Sequence, residues 1–142
     1  MVSIRPATAN DEARVLELLS QLFERDLAGD PARATAYRRM LGEPERGAVL
    51  VAEEDGWVLG IISFSVNLAI RFDTAYAQIE ELVVDEAARG KRAGALLVRA
   101  AMEEARRRGC EEMGLYPREE TRAFYEKLGF AYVGVELRQA LK

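Results

Sequence analysis

Polar and apolar residues alternate across the first positions, with Val2, Ile4 and Pro6 set against Ser3, Arg5 and Ala7. A period of two predicts a short opening strand. The period then lengthens. Val15, Leu18, Leu19, Leu22 and Phe23 recur at helical spacing. Thr8 with Asp11 three residues later reads as a capping box before them, and Asn10 is a competing N-cap. Gly29, Asp30 and Pro31 break the run, and Pro31 can open a second short helix to about Leu41. From Gly47 the period returns to two. Ala48 to Ala52 and Trp57 to Val66 are β-rich runs on either side of Glu54-Asp55-Gly56, an Asp-Gly turn that predicts a hairpin. Asn67 to Thr74 reads as a loop or strand extension, and Ala77 to Val84 as a third long strand. Ala93, Leu96, Leu97, Ala100, Ala101 and Ala105 form one face of a helix, with Gly109 as its stop. Cys110 to Tyr116 is a further strand, Pro117 to Leu128 a helix ended by Gly129, and Phe130 to Leu137 a closing strand. The order βααβββαβαβ predicts an α/β layer around a mixed sheet.

Composition narrows the chemistry. The 142 residues, 49% of them hydrophobic, suit one domain with a real core and exclude a disordered chain. One cysteine excludes a disulfide framework and a Cys-rich zinc site. No histidine is present, which excludes His-based triads and H-E-x-x-H metalloproteases. Proton transfers in any enzyme built from this chain rest on carboxylates, Tyr, Lys or water. A net charge of −4 argues against a nucleic-acid partner. No apolar run approaches the ~18–20 residues of a membrane span. Met1 to Arg5 enters the alternating pattern directly, without a signal-peptide core. With Cys110 as a lone thiol, a cytoplasmic location is the expectation.

The most informative stretch joins the third long strand to the next helix. Glu80 to Asp85 is followed by Glu86-Ala87-Ala88-Arg89-Gly90-Lys91-Arg92-Ala93-Gly94-Ala95. A helix mouth has unpaired N–H groups and a positive dipole end, and glycines admit a phosphate close to the backbone. Residues 89–108 hold seven basic and two acidic side chains, a local +5 against −9 elsewhere. That split suits a small polyphosphate better than a nucleic acid. Arg106 to Arg108 sit in the last helical turn, where they complement the dipole. Neither G-x-x-x-x-G-K-[ST] nor G-x-G-x-x-G is present, so the turn is neither a P-loop nor a dinucleotide fingerprint.

Ile79 to Asp85 followed by Arg89-Gly90-Lys91-Arg92-Ala93-Gly94 resembles motif A of the GCN5-related N-acetyltransferases (GNAT), written Q/R-x-x-G-x-G/A. Arg89 matches its first position and Gly94 its last, while Arg92 stands where the middle glycine is usual. Thr121-Arg122-Ala123-Phe124-Tyr125-Glu126-Lys127-Leu128-Gly129-Phe130 resembles motif B, which ends F-Y-x-K-L-G-F. With Ile4-Arg5-Pro6-Ala7, typical of the family's first strand, the resemblance covers nearly the whole chain. It implies a single domain over residues 1–142, with a mixed, mostly antiparallel central sheet and helices on both faces.

The resemblance also implies acetyl-CoA as co-substrate, no metal, and a primary amine of a small molecule as acceptor, attacked directly in a ternary complex. Leu82, Val83, Val84, Arg89, Gly90, Lys91, Arg92, Ala93, Gly94 and Ala95 would bind the cofactor. Backbone N–H groups from Leu82 to Val84, where the family's strand carries a bulge, would polarise the thioester carbonyl. Tyr125 would protonate the leaving thiolate, with its neighbour Phe124 in the core. Glu80 would accept the amine proton, directly or through water. Strict alternation sets Glu80 and Glu81 on opposite faces. The acceptor regions of the family supply Phe23, Glu24, Asp26, Asp30, Tyr37, Phe72, Asp73 and Tyr76 here. Phe23, Tyr37, Asp73 and Glu81 are the substrate-binding candidates. The span Ile79–Tyr125 also resembles a subgroup that includes aminoalkylphosphonate acetyltransferases, and Arg118 fits it. Leu115-Tyr116-Pro117 and Arg122 depart from it, so the phosphonate substrate is not carried over. A protein or peptide N-acetyltransferase and a non-catalytic acyl-CoA-binding regulatory module remain the alternatives. Homodimers are frequent in the family, and the edge of the closing strand, Ala131 to Leu137, is the candidate surface.

Overall fold

The computed structural model describes residues 1–142. Five strands form one sheet in the order β1-β2-β3-β4-β5. They are β1 (Ser3–Pro6), β2 (Gly47–Glu54), β3 (Trp57–Asn67), β4 (Ala75–Val84) and β5 (Cys110–Gly114). The first three pairings are antiparallel, and β4 to β5 is parallel. Four helices cover the sheet: α1 (Glu12–Phe23), α2 (Pro31–Gly42), α3 (Ala93–Arg107) and α4 (Arg122–Lys127).

Local sequence chemistry sets most of these elements. Asp11 accepts the Thr8 N–H at 2.8 Å and a fork from Arg5, so the capping box also ties β1 to the start of α1. Asp30 caps α2 by accepting the Arg33 N–H at 3.0 Å, with Pro31 in the first turn. Asp55 and Gly56 both hold positive φ, as the tight hairpin between β2 and β3 requires. Gly109 at φ 82° ends α3.

Alternation along β2, β3 and β4 splits the core in two. Leu50, Ile62, Phe64, Ala77 and Ile79 pack under α3 and α4, together with Leu97, Val98 and Tyr125. Val49, Val51, Ile61 and Val83 pack under α1 and α2, against Val15, Leu18 and Tyr37. Helices therefore lie on both faces of a mixed sheet.

Two expectations are corrected. The helix expected from Pro117 begins at Arg122, after a single 3₁₀ turn at Glu119–Thr121. Arg118 is extended (ψ 153°), so the residues after Pro117 do not enter the helix. The closing strand expected over Phe130–Leu137 does not form, and the segment runs as coil. Its neighbour would be β5, a five-residue strand carrying exposed Glu111 and Glu112. Such short, charged edges resist pairing. Val133, Val135 and Leu137 are left exposed.

Candidate active site

β4 carries the geometry. Its register against β3 runs Ser63↔Glu81 and then Phe64↔Ile79, so Glu80 is an extra residue, a β-bulge. The bulge lies before Leu82–Val84, the span where the family resemblance placed it. Its consequence is chemical. Ile79 and Leu82 point into the α3 side, while both glutamates point to the α1/α2 side. Ser65 Oγ donates to Glu80 at 2.7 Å, and Ser63 Oγ donates to Glu81. Ser63 and Ser65 are two residues apart on one strand and share a face. The expectation that Glu80 and Glu81 face opposite ways is thus corrected.

The two carboxylates enter a cavity of about 620 Å³ between the sheet and the α1–α2 region. Its remaining walls include Val15, Leu19, Phe23, Leu27, Met40 and Ile61, with Arg25 and Arg33 from above. Burial pushes the Glu81 carboxyl up from its ordinary value, and the nearby Glu80 charge adds to this against the Ser63 hydrogen bond. Glu80 is exposed. A smaller space of about 410 Å³ adjoins it and shares Ser65 and Glu80, with Tyr76, Gln78 and the tail around Leu137 as other walls.

Beyond Gln78, β4 parts from β5, since the last parallel pair is Gln78↔Gly114. The Asp85 N–H donates to the Leu59 carbonyl at 2.7 Å, which fixes the alternation of the antiparallel ladder. Val83 is turned to β3, and Leu82 and Val84 are turned to the opening. Val83, expected at the cofactor, instead has its backbone in the ladder and its side chain in the α1/α2 core.

The opening leads to the turn before α3. Asp85 accepts the Ala87 N–H at 3.0 Å and an ion pair from Arg14, which pins the turn at its start. Arg92 takes the left-handed conformation (φ 62°, ψ 16°) at the N-cap. A glycine would hold this conformation without strain, so the substitution in motif A keeps the backbone path. The amides of Gly90, Arg92, Ala93, Gly94 and Ala95 find no acceptor within the chain. They form a nest of donors suited to an anion. Of the basic side chains, Lys91 is held by Glu54 at 2.5 Å, while Arg106, Arg107 and Arg108 pair with Glu103 and Glu104. Arg89 and Arg92 stay free and exposed at the turn.

Tyr125 lies on the other face of the sheet from the glutamates. It is buried among Ile79, Ala93 and Leu97, with Phe124 and Phe130 edge-on at 5.0 and 5.8 Å. Burial raises its phenol above the ordinary value. Phe124, expected to be the core member of the pair, is the less buried, and its ring tip reaches Gly94 at the mouth of α3.

The acceptor candidates divide. Phe23 and Glu81 line the larger cavity. Tyr37 lines it too, but its hydroxyl donates to the Thr8 carbonyl at 2.5 Å and serves the fold. Asp73 lies at the exposed β3–β4 loop and borders neither cavity. Ser63, Ser65, Arg25 and Arg33 were missed by sequence reasoning. For the serines a signal existed, because two hydroxyls at alternate positions interrupt an otherwise apolar strand.

This sheet, parted between its fourth and fifth strands over a turn of unpaired amides, defines an acetyltransferase-type fold, and the chain belongs to the acetyltransferase (GNAT) family, whose profile matches residues 13–130. The chain is 35% identical to a probable glucosamine 6-phosphate N-acetyltransferase 2 of Oryza sativa subsp. japonica, over 96% of this chain and 86% of that protein. It is 32% identical to glucosamine 6-phosphate N-acetyltransferase of Trypanosoma brucei brucei, over 91% of this chain and 88% of that protein. The crystal structure of glucosamine-6-phosphate N-acetyltransferase from Arabidopsis thaliana superimposes with a TM-score of 0.83, at 24% identity, over 100% of this chain and 99% of that one. That last likeness is one of fold. No helix is long and apolar enough to cross a membrane.

Proposed function

We propose that the chain transfers an acetyl group from acetyl-CoA to the primary amine of a small molecule, by direct attack within a ternary complex. The observation that carries this reading is the bulge at Glu80, which turns two adjacent carboxylates into one cavity beside the opening of β4. The relatives named for glucosamine 6-phosphate support an amine of that size.

The donor set fits the cofactor. Five free amides, together with Arg89 and Arg92, suit a pyrophosphate, and the free edge of Leu82 and Val84 suits an extended arm with amide groups. Acetyl-CoA, when bound, supplies the thioester carbonyl and the thiolate leaving group. The amides of Leu82 and Val84 are placed to donate to an oxyanion at that edge. Glu81, with Glu80 beside it, takes the proton that an ammonium must lose before it can attack. A raised carboxyl value brings its basicity closer to neutral pH. Tyr125 is the proton donor to the thiolate. Its burial keeps the phenol protonated until that step.

We place a second copy of the chain at the exposed β5 edge, and we place the protein in the cytoplasm. Release of free thiol from acetyl-CoA, measured with a panel of small amines and with none, tests the main reading. Amine-dependent release is expected. Acetyl-CoA binding without release for any amine would leave only a binding module.

A further inference from the structure

The larger cavity holds charges of both signs that do not meet. Glu80 and Glu81 rise from its sheet floor, and Arg25 and Arg33 come from its helical roof. Neither arginine pairs with either glutamate. Each guanidinium approaches only Asp30, at 3.9 Å, and neither donates a hydrogen bond within the chain. A guanidinium carries five N–H donors in a fixed fork that matches a phosphate or carboxylate.

Both arginines stand on pinned backbone. Arg25 follows the left-handed end of α1, where its N–H donates to the Ser20 carbonyl at 3.2 Å. Two residues on, the Leu27 N–H donates to Ser20 Oγ at 2.8 Å, and Leu27 itself is fully buried. Arg33 lies in the first turn of α2, its N–H held by Asp30. Asp30 thus draws both guanidinium groups to one place without saturating either. On a chain of net charge −4, a convergent pair of unsaturated arginines over an apolar cavity is not a by-product of general basicity.

We propose that the acceptor is a zwitterionic amine, whose anionic group is bound by Arg25 and Arg33 while its amine is held at Glu81 and Glu80. This rests on the acetyl-transfer reading above and assigns the class of its substrate. Charge complementarity carries the argument. A ligand with one amine and one phosphate or carboxylate satisfies both walls of the cavity. A neutral amine leaves the two guanidinium groups, each about half exposed, to water and gains nothing from them. A polyamine sets cations against them, which costs affinity. The cavity volume of about 620 Å³ admits a ligand of sugar-phosphate size.

The test uses acceptors matched except for the anion: glucosamine 6-phosphate against glucosamine, 2-aminoethyl phosphate against ethanolamine, and β-alanine against propylamine, with spermidine as the polycation. The phosphate and carboxylate pairs separate the two sources of the anion. Thiol release should favour the anionic member of at least one pair by about tenfold or more in kcat/KM, the scale of a charge-assisted fork. The double variant Arg25→Gln/Arg33→Gln should remove that preference by raising KM for the anionic amine. Its Tm and its calorimetric affinity for acetyl-CoA should match the wild type, which a folding defect would not allow. Arg33→Lys should restore part of the preference. Equal use of neutral members, a preference for spermidine, or a preference that survives the double variant would overturn the proposal. Calorimetric titration of the same amines into the wild-type and double-variant proteins reads the charge preference without turnover. If no amine releases thiol, a preference for anionic amines that the double variant loses upholds the proposed site, while the acetyl-transfer reading falls. If the titrations show no such preference, the proposal falls as well.

Discussion

Glu81 is a residue whose placement weakens the fold it belongs to. Burial raises its carboxyl value, so the folded state holds a proton more tightly than the unfolded chain does. The sign follows from linkage. Below the ordinary carboxylate value both states are protonated and the site costs nothing. As pH rises through the raised folded value, ionisation in the cavity reduces stability. Glu81→Gln keeps an acceptor for Ser63 and removes the charge. Its unfolding curve should therefore be flatter than that of the wild type over this window, with stability at neutral pH equal or greater. The same variant should lose the rising acid limb of the pH–rate profile, together with about a hundredfold or more in kcat. A wild-type pH profile in Glu81→Gln would remove Glu81 from the proton path. Tyr125 is tested differently, because it sits in the core. Tyr125→Phe keeps the edge-on packing with Phe124 and Phe130 and deletes only the hydroxyl. We expect kcat to fall by about a hundredfold, with acetyl-CoA affinity and Tm held. Equal turnover would return Tyr125 to a purely structural role. The motif spelling singled out Tyr125 and both glutamates in the sequence as candidates. Their faces were not, because a strand read with period two has no place for a bulge, and one extra residue reverses every side chain beyond it.

At the scale of elements, local chemistry was a good guide wherever one side chain decides the outcome. The Thr8–Asp11 box, the Asp30 cap before Pro31, the Asp55-Gly56 hairpin and the Gly109 stop all appear where the sequence put them. It failed where a partner decides. The start of α4 depends on where residues 118–121 settle, with Arg118 reaching the Leu22 carbonyl of α1, and the closing strand depends on an edge willing to receive it. Motif A shows a third case. Arg92 breaks the consensus, yet its backbone adopts the left-handed state that the missing glycine would supply (φ 62°). An L-residue pays strain for that conformation. Arg92→Gly should relieve it and raise stability by about 1 kcal/mol in denaturant unfolding. Acetyl-CoA should still bind, through the amides of residues 92–95, but several-fold more weakly, because the Arg92 guanidinium is lost. A loss of stability in Arg92→Gly would show that the side chain, and not the backbone, anchors the turn.

Over the whole molecule, the charge pattern sorts itself by use. Four of the seven basic groups in residues 89–108 are neutralised by glutamates close in space, and the excess is concentrated at the mouth of α3. The apolar surface is sorted as well. Tyr132, Val133, Val135 and Leu137 are all exposed on the tail after α4, and the outer edge of β5 is unpaired. The alternation that suggested a closing strand is still encoded in this tail, and both halves of a strand pairing are left open. Two copies of the chain satisfy both at once: a tail from one can complete the β5 edge of the other, where the apolar area buried between copies outweighs the resistance of the charged edge. Light scattering should then report a mass near twice the 15.8 kDa of one chain. Ending the chain after Phe130 should return it to a monomer and lower Tm, because the β5 edge loses its cover. If the truncated chain keeps the dimer, the contact lies elsewhere on the surface. If the intact chain is a monomer at high concentration, the edge and the tail are kept apart in solution, with Glu111 and Glu112 as the guards of that edge.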